Sequence, residues 1–397
     1  MIKKANKYKT GAWNYAPIGK YDIESAVKDW HDLGLNTPMM FNYEPKNGEK
    51  KEDVLRCMDV CARYGMKVYI RDGRANLFTL KEIGEDAFRK GLQQANEDFA
   101  KHPAFLGFFI GDEPNYVDYG YLSRAYKLCL EYAPNSMPFV NITTYLDGHR
   151  QGMTLEEHAA LVEKIIVDGN IKALGYDQYI QCAVYRREEC IEKDYFSDLR
   201  YMGEICRKHN VVFYHCPLCV GHWMYVTPDD DLIRWQFSTM IANGVEGFMW
   251  FMLYRSGEPN SFRLSPIQDG VRTEMFERVA RIHREFFLYY ADYLSQVKLD
   301  KVWGFGPKLY GYPAFTSNTE LKKLGYVVEE QPLSVSRFVD DDGNPSYVIV
   351  NLSQTTPTCL DLEFSDDLFY NGLSFHIAQG EMMLLRNKKT QAVLNGQ

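Results

Sequence analysis

The sequence predicts an α/β chain: a (β/α)8 (TIM) barrel followed by a small C-terminal antiparallel β domain. Three observations predict it. Eight short apolar runs alternate with amphipathic helical stretches up to about residue 290. No run is followed by a glycine-rich phosphate loop, which counts against a doubly wound nucleotide-binding sheet. After about residue 300 the helical pattern gives way to short β-type segments.

The first run is Thr10–Tyr15. A helix follows from Asp22 to Leu33, with Ile23, Ala26, Val27 and Trp30 spaced by three and four on one face, and Gly34 stops it. The second run, Asn36–Tyr43, leads to a helix from Glu52 to Tyr64 that ends at Gly65. The other runs are Lys67–Asp72, Phe105–Glu113, Pro138–Thr143, Ala173–Tyr179, Val211–Cys216 and Gly247–Tyr254. Eight such units in this length fit a closed barrel better than an open sheet. The tail offers Ser334–Phe338 and Ser346–Leu352, joined by the turn Asp340-Asp341-Asp342-Gly343-Asn344-Pro345. Cys359–Phe364, Leu373–Ile377 and Glu381–Leu385 complete it. The expected units are residues 10–298 for the catalytic barrel and 299–390 for a β-sandwich-like domain that packs against it. From about Asn387 the polar end is expected to fray.

Composition excludes several partners. The net charge is −8 and the pI about 5.7, and no three Lys or Arg residues stand together, so nucleic acid is not expected. No apolar stretch approaches the roughly 20 residues that cross a bilayer, so no membrane partner is expected. The basic start, Met1 to Lys9, lacks an apolar core, so the chain is expected in the cytoplasm, or exported with its leader removed. Nine cysteines, an odd number, do not form a disulfide framework. Cys216 and Cys219 have CxxC spacing with His215 and His222 nearby, but a second ligand pair is missing, and neither metal nor cofactor is expected. Aromatics make up 14% of the chain, enough to fill a core, line a sugar cleft, or both.

The chemistry belongs at the C-terminal ends of the strands. Those ends carry Trp13, Asn14 and Tyr15; Asn42, Tyr43 and Glu44; Arg71 and Asp72; Asp112 and Glu113; Thr143, Thr144 and Tyr145; Tyr176, Asp177 and Tyr179; His215 and Cys216; Trp250 and Tyr254. Carboxylates among rings and amides suit hydrolysis of a glycosidic bond. The most specific piece is Gly111-Asp112-Glu113-Pro114, where two acids directly follow a run that should be buried. Alternation sends the two to different sides of the strand end, and one acid can tune or hold the other.

Asp112-Glu113-Pro114 resembles the Asn-Glu-Pro of clan A glycoside hydrolases, whose Glu is the acid/base. The resemblance covers residues 10 to 290 and implies a glycoside hydrolase with Glu113 as general acid, acting on an oligosaccharide or glycoside. Trp250 looks like the ring that floors the sugar site in that clan. Asp177-Gln178-Tyr179 looks like the Asp-x-Tyr of some barrel galactosidase-like families. The departure is at strand 7, where the clan carries a nucleophilic Glu and this chain has Tyr214-His215-Cys216-Pro217, with no acid before Asp229.

Three readings stay open. In the first, Glu113 is the acid and Asp177, or else Asp72 or Glu258, is the base or nucleophile. In the second, the adjacent Asp112 and Glu113 resemble the pair of substrate-assisted N-acetylhexosaminidases, with Tyr179 supporting the acetamido group. In the third, the barrel binds glycans without cleaving them. The candidate catalytic residues are Glu113, Asp177 and Asp112. The candidate sugar-binding residues are Trp13, Asn14, Asn42, Asp72, Tyr145, Tyr179, His215 and Trp250. His215 and His222 suit either a sugar contact or a core position, and Arg71 and Arg255 either an acidic sugar or pairing with Asp72 and Glu258.

Overall fold

The computed structural model describes residues 4–145, 152–185, 188–255, 261–369 and 375–395. The eight runs form parallel strands β1 (Lys9–Ala12), β2 (Met39–Tyr43), β3 (Val68–Asp72), β4 (Phe105–Asp112), β5 (Phe139–Ile142), β6 (Ala173–Asp177), β7 (Val212–Cys216) and β8 (Gly247–Trp250). Their order around the sheet is β1-β8-β7-β6-β5-β4-β3-β2. The seam between β1 and β2 closes through loop bonds: Asn36 and Thr37 donate to the Thr10 carbonyl, and Asn42 pairs with Ala16 and Ile18.

The principal helices follow the strands in turn: α1 (Ile23–Asp32), α2 (Lys51–Arg63), α3 (Glu85–Phe99), α4 (Tyr119–Tyr132), α5 (Leu155–Gly169), α6 (Ser197–Lys208), α7 (Asp230–Ala242) and α8 (Glu274–Tyr289). Side-chain oxygens cap several of their free N–H groups. Asp22 accepts from Ser25 at α1, Thr154 and Glu157 form a capping box at α5, and Asp229 accepts from Leu232 at α7. Asp229, the first acid after β7, is therefore a helix cap.

Two apolar layers result from the period of two along each strand. Inward residues fill the barrel: Trp13, Met39, Tyr69, Phe109, Phe139, Tyr214 and Met249 form one cluster. The Tyr69 and Tyr214 hydroxyls meet at 2.9 Å inside it, so neither polar tip is wasted in the barrel interior. Outward residues such as Tyr176, Phe248 and Trp250 pack under the helices with Trp30, Phe196, Trp235 and Phe286. Gly175 has a packing role here. A Cβ on it would stand 2.7 Å from the Phe139 ring and 3.3 Å from the Asn141 side-chain oxygen, so its bareness makes room for both.

The C-terminal part forms β9 (Lys298–Phe305), β10 (Leu321–Tyr326), β11 (Leu333–Val339), β12 (Pro345–Asn351), β13 (Thr358–Phe364), β14 (His376–Ile377) and β15 (Met382–Leu385). They make an antiparallel sheet of order β9-β11-β12-β15 and a second of order β10-β13-β14. Leu321, Leu360, Phe364 and Ile377 of the second meet Leu333, Val335 and Ile349 of the first in one cluster. The larger sheet's other face joins the barrel through Phe338, Val348 and Val350, and Trp235 on α7 donates to the Leu352 carbonyl at 2.8 Å. Two expectations change. Residues 387–395 do not fray: Asn387 caps α9 (Lys388–Leu394), and Thr390 bonds Asp340 at 2.8 Å. β9 and β10 were not expected, because lysines interrupt their apolar pattern. Of the segment expected from Leu373, residues 373 and 374 lie outside the described residues.

None of the nine cysteines is joined in a disulfide. Cys216 faces the barrel interior and Cys219 the helical layer. No helix among the described residues is long and apolar enough to cross a membrane.

Candidate active site

A cleft of about 510 Å³ opens at the C-terminal ends of the strands, a size that suits a small ligand. Its polar floor is built by strand register. Asp112 at the end of β4 pairs with Asn141 of β5, and Asp177 at the end of β6 pairs with Cys216 of β7. Alternation then turns Asn141 and Cys216 inward, above Phe139 and Tyr214. The Asn141 amide nitrogen donates to both aspartates, at 2.8 Å to Asp177 and 3.2 Å to Asp112. Its oxygen accepts from the Cys216 thiol at 3.6 Å, which fixes the amide's sense.

Two carboxylates on one nitrogen cannot both ionise at low cost. Burial, and then the charge of Asp177, push Asp112 up to about 7; Asn141 and the Arg71 guanidinium oppose this only in part. Arg71 lies against the rings of Tyr15 and Phe109 and donates to the Asn14 carbonyl. Glu113 also lines the cleft, exposed, with its backbone at φ 41°, a left-handed conformation uncommon for a residue with a Cβ. Burial and the nearby aspartates and Glu113 raise the thiol of Cys216 well above its usual range, so this group at the end of β7 is a poor nucleophile.

Rings form the walls: Trp13 and Tyr15 on one side, Tyr179, Tyr225, Phe251 and Phe262 on another, with Trp223 at the mouth. Gln178 lines the cleft and donates at 3.4 Å to Asp198, which is buried behind the wall and pushed by that burial up to about 8.

The expected residues therefore divide. Glu113, Asp112, Asp177, Trp13 and Tyr179 meet in this cleft; so does His222, its ring stacked on Trp223 and Phe262. Trp250 does not, because it points outward, stacks over Phe237 and donates to His283 at 2.9 Å. Phe251, one residue on, faces the cleft instead. His215 also points outward, edge-on to Tyr176, and burial lowers its pKa to about 3. Asp72 is 2% exposed and held by Arg74 at 2.7 Å, while capping the turn that follows β3. Asn14 is buried and accepts from the Ala16 amide, and Asn42 bonds the β1 loop through its backbone; neither lines the cleft. Tyr145 packs on His158 outside it. Arg71 does not pair with Asp72, and Arg255 pairs with Asp269 at 2.8 Å. Glu258 lies outside the described residues. Asn141, Gln178, Phe251 and Phe262 were missed; counting alternation from the inward Phe139 and Met249 would have found Asn141 and Phe251.

The Asp112 environment gives a pH dependence. Its folded pKa lies above the ordinary 3.8, so the folded state keeps a proton that the unfolded chain loses. The contribution of Asp112 to stability therefore falls as pH rises from about 4 to about 7 and then levels. If the site works with Asp112 protonated, kcat/KM falls as pH passes about 7, and Asp112→Asn, which stays neutral, removes that limb. A pH–rate profile on both proteins checks this; an unchanged alkaline limb in the variant counts against it.

No family model matches the chain, and a search of curated proteins gave no match. Solved structures do match in fold. A β-galactosidase from the psychrophilic Marinomonas ef1 aligns with TM-score 0.52 and 12% identity over 73% of this chain and 62% of that one. A β-galactosidase from Bacillus circulans sp. alkalophilus aligns with TM-score 0.53 and 11% identity over 76% and 59%. A β-D-glucuronidase from Dictyoglomus thermophilum aligns with TM-score 0.50 and 12% identity over 72% and 51%. The chain thus spans less than two thirds of the length of each of these three, and the likeness is one of barrel fold.

Proposed function

We propose that this cleft hydrolyses an O-glycosidic bond. The observation that carries the reading is the shared amide: two aspartates on Asn141 at the floor of an aromatic-lined cleft, one of them drawn up to about 7, with a third carboxylate, Glu113, at the rim. Carboxylates in unlike environments are what divide acid from base or nucleophile in such chemistry. Solved barrels of this shape that are named as glycosidases support a glycoside as substrate.

In this reading Glu113 protonates the departing oxygen, where contact with solvent lets it be recharged. Asp177, whose charge helps to keep the proton on Asp112, acts on the anomeric carbon directly or through water. Asp112 stays neutral and keeps the floor at a single negative charge. Tyr15 and Phe251 supply ring surface for the sugar, and the buried Trp13 and Tyr179 back them.

A second reading has its own observation. Cys216 ends β7, the strand at which clan A enzymes carry a nucleophilic Glu, and Asp112 and Glu113 are adjacent in the cleft. A substrate acetamido oxygen would then attack, with Asp112 orienting it and Glu113 as acid. A panel of 4-nitrophenyl hexosides and N-acetylhexosaminides separates the two. Turnover of plain hexosides supports the first reading; turnover confined to acetamido sugars, with inhibition by the matching thiazoline, supports the second. Turnover of none, with sugars still bound, leaves a glycan-binding barrel.

A further inference from the structure

We propose that Trp223 is the platform of an additional sugar subsite, so that the natural substrate is an oligosaccharide with a second ring stacked at the cleft mouth. The inference rests on the glycosidic reading of the cleft. Trp223 is 70% exposed although it lines the cleft that holds the three carboxylates. Its ring is backed by a stack: His222 lies behind it at 4.3 Å, and Phe262 lies on His222 at 4.7 Å, almost parallel. A rigid ring with one face supported and most of its surface in water suits the C–H face of a pyranose.

The backbone holds Trp223 in this position. It has φ 47°, a conformation uncommon for a residue with a Cβ, and its N–H donates to the Ser261 carbonyl at 3.2 Å. The loops after β6 and β7 are joined by Val184 N–H to the Met224 carbonyl at 2.9 Å and by the bridge of Ala183 with Tyr225. Those joined loops also carry exposed Val184, Tyr185 and Met224. The apolar surface thus starts at a cleft wall and runs outward, which is where a chain bound at the carboxylates continues. That continuity selects a further sugar of the same substrate as the occupant.

The test uses the whole protein and defined glycans. Wild type, Trp223→Ala and Trp223→Tyr are applied to an array of unlabelled mono- to hexasaccharides, and Kd is measured by calorimetry for the glycans retained. Trp223→Ala is expected to weaken oligosaccharide binding about tenfold or more and leave the monosaccharide unchanged, with Trp223→Tyr restoring most of the loss. Equal effects on both lengths, no effect on either, or no oligosaccharide bound by wild type overturns the subsite. An effect confined to aryl glycosides overturns it in favour of an aromatic aglycone. Trp223-dependent oligosaccharide binding without hydrolysis of any glycoside keeps the subsite and removes the hydrolase reading.

Discussion

Asp177→Asn is expected to lower turnover of a simple aryl hexoside by roughly 10³–10⁴-fold while sugar binding stays close to wild type. Asp177 ends β6, accepts from the Asn141 amide at 2.8 Å, and its charge is one of the causes that hold the proton on Asp112. An amide there keeps the shape but supplies neither a nucleophile nor a base. A second effect follows from the same geometry. Without the Asp177 charge, the pKa of Asp112 moves down, and the alkaline limb of any residual activity moves to lower pH. Steady-state kinetics at several pH values measure both. A nearly silent Asp177→Asn would transfer the reaction to substrate assistance through Asp112 and Glu113.

Asp72→Ala is expected to cost about 3 kcal/mol of stability and leave kcat of the folded fraction within a fewfold of wild type. Asp72 carries three bonds from the Arg74 guanidinium and one from its backbone N–H, in a position that water hardly reaches. Removing it strands a cation that is mostly buried. The cost falls at the low end of the range for such pairs because Asp98 still meets Arg74 at 2.9 Å. Urea unfolding monitored by tryptophan fluorescence, with an activity assay below the transition, separates the two effects. Loss of activity at full folding would return Asp72 to the site.

The barrel was legible because its helical stretches show themselves by spacing and its strands by short apolar runs; β9 and β10 lack such runs, since lysines interrupt them. The α1 face of Ile23, Ala26, Val27 and Trp30 is buried as its spacing requires. The site was harder to read, because strand ends hide which way a side chain points. A strand flips its side chains every residue, so an error of one position exchanges cleft for core. Trp250 and Phe251 differ by one residue, as do His215 and Cys216; in each pair the first faces the helices and the second the cleft. Asp72 follows another rule. A charge at the end of a buried strand is costly unless used, but pairing with Arg74 two residues on is also a use, and sequence does not separate the two. Trp223 sits in a turn, and Phe262 in a two-residue strand paired with Gly221–His222, both too short for any periodicity to show.

If Glu113 delivers a proton to the departing glycosidic oxygen, the loss caused by removing it depends on the leaving group. Wild type and Glu113→Gln are compared on aryl glycosides of the accepted sugar, from 2,4-dinitrophenyl to phenyl. A leaving group that departs readily needs little protonation, so the variant is expected to lose only a few fold on the dinitrophenyl compound. On the phenyl compound it is expected to lose about 10²–10⁴-fold. An equal loss across the series, or no loss at all, would contradict the assignment of Glu113 as the acid.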